Sequence, residues 1–331
     1  MSIDDILSGL SKETRKRVSI ANTIELDRIS LASSKLTQAL GGGMLRGRQF
    51  LCWGSKSSGK SALFMQSVAE WQKQGMSCAW IDAEASFDPA WAERLGVDTS
   101  TLIVSLAKDT QSMVEICSEL MLAKIDVIVV DSITALVPLS WFGKTGELKG
   151  LEGTNQIGSQ AVDLARAVKL LNGVNTDTCL VLISQSRSNI TTYGAIQQPT
   201  GGQSIPFYST ACIKLNASAS DKNQIKGEVS AAGRTVEKNI GREVTFTVEY
   251  NKIGPPSTSG TYDFYYDGDS VGIDVVGELI DMAIENDIIL RAGAWFSYGD
   301  LKLQGRPSVI NYFRGNPEEL LELKGVVDGK S

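Results

Sequence analysis

The sequence contains no histidine in 331 residues, which removes His-based triads, His-ligated zinc and the imidazole proton shuttle. Cysteine is sparse. Cys52, Cys78, Cys117, Cys179 and Cys212 include no pair at CxxC spacing, and four lie inside apolar runs. They read as buried thiols of a reducing cytosol, not as a disulfide or metal framework. No apolar run approaches the roughly 18 residues of a membrane helix, and the N-terminus has no signal-peptide pattern. The expectation is a cytoplasmic protein with no membrane partner. Positive charge is also short, with 32 basic against 38 acidic side chains and a formal net charge of −6. A global field of that sign does not draw in nucleic acid, so any DNA contact has to come from local patches.

The rest of the composition, 42% apolar and 21% charged, is ordinary for a globular protein. A chain of this length suits one large domain, or a core with a small appendage at each end. "IDDILSGLSKETRKR" reads as a short amphipathic helix with a basic end, Arg15-Lys16-Arg17, which is a solvated helix end or a contact surface. From "RQFLCWG" onward, short apolar strands alternate with helical stretches. The strands are "SCAWIDAE", "TLIVSLA", "IDVIVVDS" and "TCLVLISQ"; the helices include "KSALFMQSVAEWQKQG", "TQSMVEICSELMLAK" and "SQAVDLARAVKLLNG". This is the pattern of βαβ units on a mostly parallel, buried sheet. After residue 200, "STACIKLNAS", "REVTFTVEYNK" and "TYDFYYDG" read as strands that extend the sheet, partly antiparallel. From Gly272 the chain turns helical and ends in a small α+β appendage.

The octet "GSKSSGKS", Gly54 to Ser61, fits G-x-x-x-x-G-K-[ST] between a strand and a helix. Its residues Gly54, Ser55, Lys56, Ser57, Ser58 and Gly59, with Ala62 after it, would wrap backbone N–H groups around a phosphate at a helix N-terminus. Lys60 would reach the β- and γ-phosphates and Ser61 would place its hydroxyl on Mg²⁺. Asp131 closes the apolar run of "IDVIVVDS", where it projects into the crevice that holds α/β ligands, and is the second metal carboxylate. Hydrolysis needs a group that orients water. Glu84 ends "SCAWIDAE" on the same edge, and Asp82 competes with it.

Taken together, "GSKSSGKS", "WIDAEASFDPAWAERLGVD", "IDVIVVDSITALVP" and "AGAWFSY" resemble the bacterial RecA recombinases, in order and at similar spacings from about residue 30 to about residue 320. The resemblance implies a RecA-type P-loop ATPase core over residues 34–270, with a mostly parallel central sheet flanked by helices. It also implies an N-terminal assembly segment, 1–33, and a small α+β C-terminal domain, 271–331. It implies ATP and Mg²⁺ as cofactors, single-stranded and homologous double-stranded DNA as partners, and a helical homo-oligomer with ATP at the subunit interface. Single-strand-binding or mediator proteins are further candidate partners. Glu84 falls on the family's catalytic glutamate. Asp88 and Trp91 fall where the family holds adenine, with Tyr266 near the same pocket; otherwise they are helix-start and core residues. Gln185 falls on the glutamine that senses the γ-phosphate. The loop after it, 186–203, then carries the DNA contacts Arg187, Ile190, Tyr193, Gly201 and Gly202; without the resemblance it is a mobile surface loop. A second DNA loop, about 139–158, looks longer than the family's. It carries Trp141, Phe142, Lys144 and Lys149 and ends at Ile157 and Gly158. Lys169 on the next helix falls where the family places a phosphate-binding arginine.

The pattern also departs from the family. Of two lysines that reach into a neighbour's ATP site, the second survives as Lys252 and the first is Tyr250. A further lysine is replaced by Pro206. Lys56 stands inside the phosphate loop where the family has an acidic residue. The N-terminal segment looks divergent, and the acidic C-terminal tail of many members does not follow. A phage-encoded or otherwise distant member fits these differences. The leading expectation is a DNA strand-exchange ATPase. An accessory paralogue that binds ATP and partners without exchanging strands is the alternative. A helicase of the same fold is disfavoured by "AGAWFSY".

Overall fold

The computed structural model describes residues 2–138, 141–143, 147, 159–191, 194–201, 204–217, 220, 223–231, 234–267 and 271–330. The alternating strands form one large sheet. Its parallel part runs in the order Ala211–Asn216, Gln49–Gly54, Cys179–Thr191, Val127–Asp131, Cys78–Asp82, Ile103–Leu106. The apolar runs are continuous because both faces are covered. Phe50 and Cys52 point to one face, where Leu36, Leu63, Phe64 and Trp71 pack. Leu51 and Trp53 alternate to the other, against Met113, Cys117, Leu164 and Leu171. The helices responsible are Ser34–Ala39 and Lys60–Lys73 on the first face, and Thr110–Leu122 and Ser159–Val174 on the second. All five cysteines are free and buried in this packing. Among the described residues no helix is long and apolar enough to cross a membrane.

Beyond Ala211–Asn216 the sheet continues antiparallel through Arg234–Asn251, Thr258–Tyr265 and Gly272–Ile273, as the alternating sequence predicts. Two hairpins were not expected. Gln224–Ala231 pairs with the outer half of Arg234–Asn251. The Cys179–Thr191 strand runs past the sheet and pairs with Gly194–Pro199. The segment 186–203, which reads as a mobile surface loop apart from the resemblance, is therefore largely a β-ribbon, because the ladder bonds its polar backbone. The N-terminal helix is also corrected. It is two short helices, Ile3–Ser8 and Lys12–Arg15, split where Gly9 caps the first and the Ser11 hydroxyl accepts from Thr14 N at 3.2 Å. The Ile103–Leu106 strand is not buried as expected. Among the described residues it has a neighbouring strand on one side only, and Ile103, Val104 and Leu106 are exposed.

The C-terminal part has its own core, including Leu279, Ile280, Phe296, Ile310, Phe313 and Leu323. It is built on helices Val275–Glu285, Arg306–Gly315 and Pro317–Lys330 and a three-stranded antiparallel sheet. A buried latch ties it to the large-sheet part of the chain. Glu278 accepts from Ser33 Oγ at 2.6 Å and Ser34 N at 2.9 Å, and Asp281 pairs with Lys35 at 3.2 Å. Burial pushes the Glu278 carboxyl from 4.5 up to about 7 against those donors. The folded state therefore holds a proton that the unfolded chain has released between about pH 4.5 and 7. Stability falls as pH rises through that window and levels off above it, a cost of about 3 kcal/mol at about 1.4 kcal/mol per pH unit. Urea midpoints measured from pH 5 to 8 should show this slope, and Glu278→Gln should flatten it. An unchanged slope in the variant would assign it to another group.

Candidate active site

The parallel strands deliver their C-terminal ends to one edge. Gly54 pairs with Gln185, and Asp82 pairs with Asp131. At Gly54 a Cβ would lie 2.1 Å from Leu215 O of the neighbouring strand, so only glycine fits at this close approach. Gly59, at φ +91°, starts the Lys60–Lys73 helix. Lys60 is 8% exposed. Its Nζ donates to Gly54 O at 3.2 Å, Ser55 O at 2.8 Å and Ser58 Oγ at 3.3 Å. Burial lowers its pKa, while Asp131 and Glu84 act the other way. Ser58 is buried with it, whereas Lys56 and Ser57 are exposed at the loop's apex. Ser55, Ser61 and Ala62 are half-buried.

Asp131 is 6% exposed. Burial pushes its carboxyl up to about 6, the Ser61 hydroxyl bonded to it pulls the other way, and Glu84 and Asp82 push it further up. A buried carboxylate beside a hydroxyl, under repulsion from two more acids, suits a divalent cation. One or two protein ligands with retained water is how Mg²⁺ is commonly held. Among the described residues no three acidic or thiol groups form a closed metal cage.

Asp82 and Glu84 differ in their hydrogen bonds. Asp82 is buried and fully engaged: Oδ1 accepts from Glu84 N at 3.1 Å, and Oδ2 from Ser86 N at 2.9 Å and Phe87 N at 2.8 Å. It shapes the turn. Glu84 is exposed, and its Oε1 accepts from Ser132 Oγ at 2.5 Å and from Gln185 Nε2 at 2.9 Å. The sequence placed Glu84 and Gln185 on one edge but gave no sign of Ser132, whose type is common after a strand.

From Gln185 the bonds continue outward. Its N donates to Thr134 Oγ1 at 2.9 Å, and its carbonyl accepts from Thr200 N at 3.1 Å at the base of the ribbon. Gln160 Nε2 donates to Thr134 O and Leu136 O, both at 3.0 Å, and its Oε1 accepts from Arg187 Nη2 at 3.3 Å. Thr134 and Gln160 were also missed, since neither belongs to a charged or glycine motif. Gly201 is at φ +100°, a conformation that side chains rarely adopt, and a Cβ there would lie 2.3 Å from Ile205 Cδ1, which would have to shift. Gly201, Arg166, Lys169 and Ser204 border one groove. The backbone of Ile190 pairs with Ala195 in the ribbon. Trp141 Nε1 donates to Ser159 Oγ at 3.1 Å. Ile157, Gly158, Tyr193 and Gly202, with Lys144 and Lys149, lie outside the described residues.

Asp88 caps the Pro89–Arg94 helix through Ala90 N at 2.9 Å. Trp91 and Tyr266 pack half-buried against the first core, and the Arg94 guanidinium lies 5.3 Å from the centre of the Trp91 ring. Lys252 is far from its own loop. It follows Asn251, which pairs with Ala211, whereas Gly54 pairs with Leu215 at the other end of the same strand. About 13 Å of strand separates them. Lys252 Nζ instead donates to Phe207 O at 2.7 Å and sits 5.5 Å from the centre of the Tyr250 ring.

A glycine-turned loop over a buried lysine, with carboxylates at the ends of neighbouring parallel strands, defines a P-loop nucleoside triphosphatase. Residues 1–272 match the family model of the RecA N-terminal domain, and residues 277–330 that of the RecA C-terminal domain. The chain is 35% identical over 314 residues to Protein RecA of Rickettsia bellii (strain OSU 85-389), covering 93% of this chain and 85% of that protein. Protein RecA of Rickettsia africae (strain ESF-5) and that of Rickettsia conorii (strain ATCC VR-613 / Malish 7) are each 34% identical over the same coverage. The chain belongs to the RecA family of recombinases, ATPases that bind DNA and act in recombination and repair.

Proposed function

We propose that this chain is an ATP-dependent DNA recombinase that coats single-stranded DNA as a helical filament, pairs it with a homologous duplex and exchanges strands, with hydrolysis stimulated by DNA. The observation that carries the reading is the hydrogen-bonded path from Glu84 through Gln185 and Thr134 to Gln160 and Arg187. It joins the hydrolytic edge to the base of the ribbon, so a shift of Gln185 is felt at both ends. ATP and Mg²⁺ bind at the octet and Asp131. Glu84 aligns the attacking water, Lys60 neutralises phosphate charge, and Gln185 reports the γ-phosphate. Mg²⁺ supplies charge neutralisation when bound. Asp88, Trp91 and Tyr266 hold adenine. The strand runs past Arg187, Ile190, Gly201 and Lys169, with Tyr193, Gly202, Ile157 and Gly158 as further contacts.

Self-assembly is part of the reading. Among the described residues the Ile103–Leu106 edge strand pairs on one side only, and it has three exposed apolar side chains. Ile20, Ile24 and Leu26 in the N-terminal segment are exposed as well, so a second copy can cover both by adding to the edge. Lys252, too far from its own loop, then serves a neighbour's. The accessory-paralogue reading draws on Tyr250, which has no charge to offer.

The test is ATP hydrolysis with and without single-stranded DNA, followed by strand exchange between a circular single strand and a linear duplex. Strong stimulation and exchanged product are expected. Hydrolysis indifferent to DNA, with no exchange, would leave the accessory paralogue. Arg187→Ala and Lys169→Ala should each lower the slope of log affinity against log salt by about 0.7, one phosphate contact on a single strand.

A further inference from the structure

The mouth of the phosphate loop is short of positive charge. Asp82, Glu84 and Asp131 close neighbouring strands there, and Asp88 lies just beyond. Lys60 is the one cation that the loop encloses among the described residues, and three oxygen acceptors of the loop itself already hold it. A triphosphate adds more negative charge to this edge. Lys252 sits at the far end of the sheet and Arg187 is held by Gln160.

Lys56 is a further cation, carried by the loop itself. Ser58 N donates to Ser55 O at 3.2 Å, closing a tight turn with Lys56 and Ser57 at its apex and Ser57 at φ +60°. Lys56 is exposed and makes no ion pair among the described residues. No described residue pairs with its ammonium, and an exposed lysine stem is free to swing across the loop.

We propose that Lys56 is a second phosphate lysine, acting within its own subunit on the terminal phosphate, so that the loop selects triphosphate over diphosphate. Lys60 neutralises the phosphates from beneath, and Lys56 closes over the end that ADP lacks. The inference rests on the octet being the ATP site, and its test separates the two. If Mg²⁺·ADP does not bind, the nucleotide reading itself fails; the question about Lys56 is asked of variants that bind it.

Affinities for Mg²⁺·ATPγS and Mg²⁺·ADP are measured by displacement of a fluorescent ADP analogue, in dilute protein without DNA, where no neighbour contributes. Lys56→Gln should weaken ATPγS about tenfold, as expected for losing one partly exposed charge-assisted contact, and ADP less than about twofold. Lys56→Arg should stay near wild type. Thermal shifts should follow suit, with Mg²⁺·tripolyphosphate losing its advantage over Mg²⁺·pyrophosphate in the glutamine variant. Equal weakening of both nucleotides would mean that Lys56 only shapes the loop, and no weakening would mean that it does not reach the phosphates. Either result overturns the proposal.

Discussion

Glu84→Gln should bind ATP normally and lose DNA-stimulated hydrolysis by about 10²–10⁴-fold in kcat, the usual worth of a positioned general base. The substitution is close to isosteric, and the remaining amide oxygen can keep accepting from Ser132 Oγ and Gln185 Nε2, so loop and ribbon stay joined. What disappears is a carboxylate able to take a proton from water. ATPγS affinity and DNA binding should therefore remain near wild type while single-turnover hydrolysis collapses. Asp82→Asn makes the contrast. Its carboxylate serves three backbone N–H groups with two oxygens, and an amide has only one oxygen to offer. That variant should lose thermal stability and nucleotide affinity together. If Glu84→Gln kept its turnover and Asp82→Asn lost turnover alone, the two roles would be reversed.

The contrast shows which parts were legible in the sequence. Continuous apolar runs announced buried parallel strands, and strand-ending residues announced the site's edge, because both follow from period and composition. What sets Asp82 apart from Glu84 is the backbone that folds around Asp82, a turn with Ala85 at φ +53° that no side-chain pattern encodes. Ser132, Thr134 and Gln160 were invisible for a related reason. Their importance lies in whom they touch across the sheet, at separations of up to 51 residues. The ribbon at 186–199 was read as loop because its sequence is polar and glycine-containing, yet backbone pairing with Gly194–Pro199 orders it. The exposed Ile103–Leu106 strand looks like its buried neighbours in sequence; only the strand order reveals it as an edge.

Lys252→Ala should lower DNA-stimulated turnover on the order of a thousandfold, the lower end for a cation supplied by a neighbouring subunit. Each subunit alone should keep its nucleotide affinity, since Lys252 lies at the opposite end of the strand from Gly54. Mixing provides the decisive measurement. Lys252→Ala subunits retain Glu84, and Glu84→Gln subunits retain Lys252; neither turns over alone, and both bind ATP. In a head-to-tail assembly formed from equal amounts, about a quarter of the interfaces pair an intact Glu84 edge with an intact Lys252. Activity should therefore return to about that fraction of wild type once the two are combined on single-stranded DNA. Recovery would place Lys252 in the neighbour's site and make the assembled chain the catalytic unit. A silent mixture whose subunits demonstrably co-assemble would confine Lys252 to its bond with Phe207 O, and the accessory reading, in which Tyr250 marks a lost function, would take precedence.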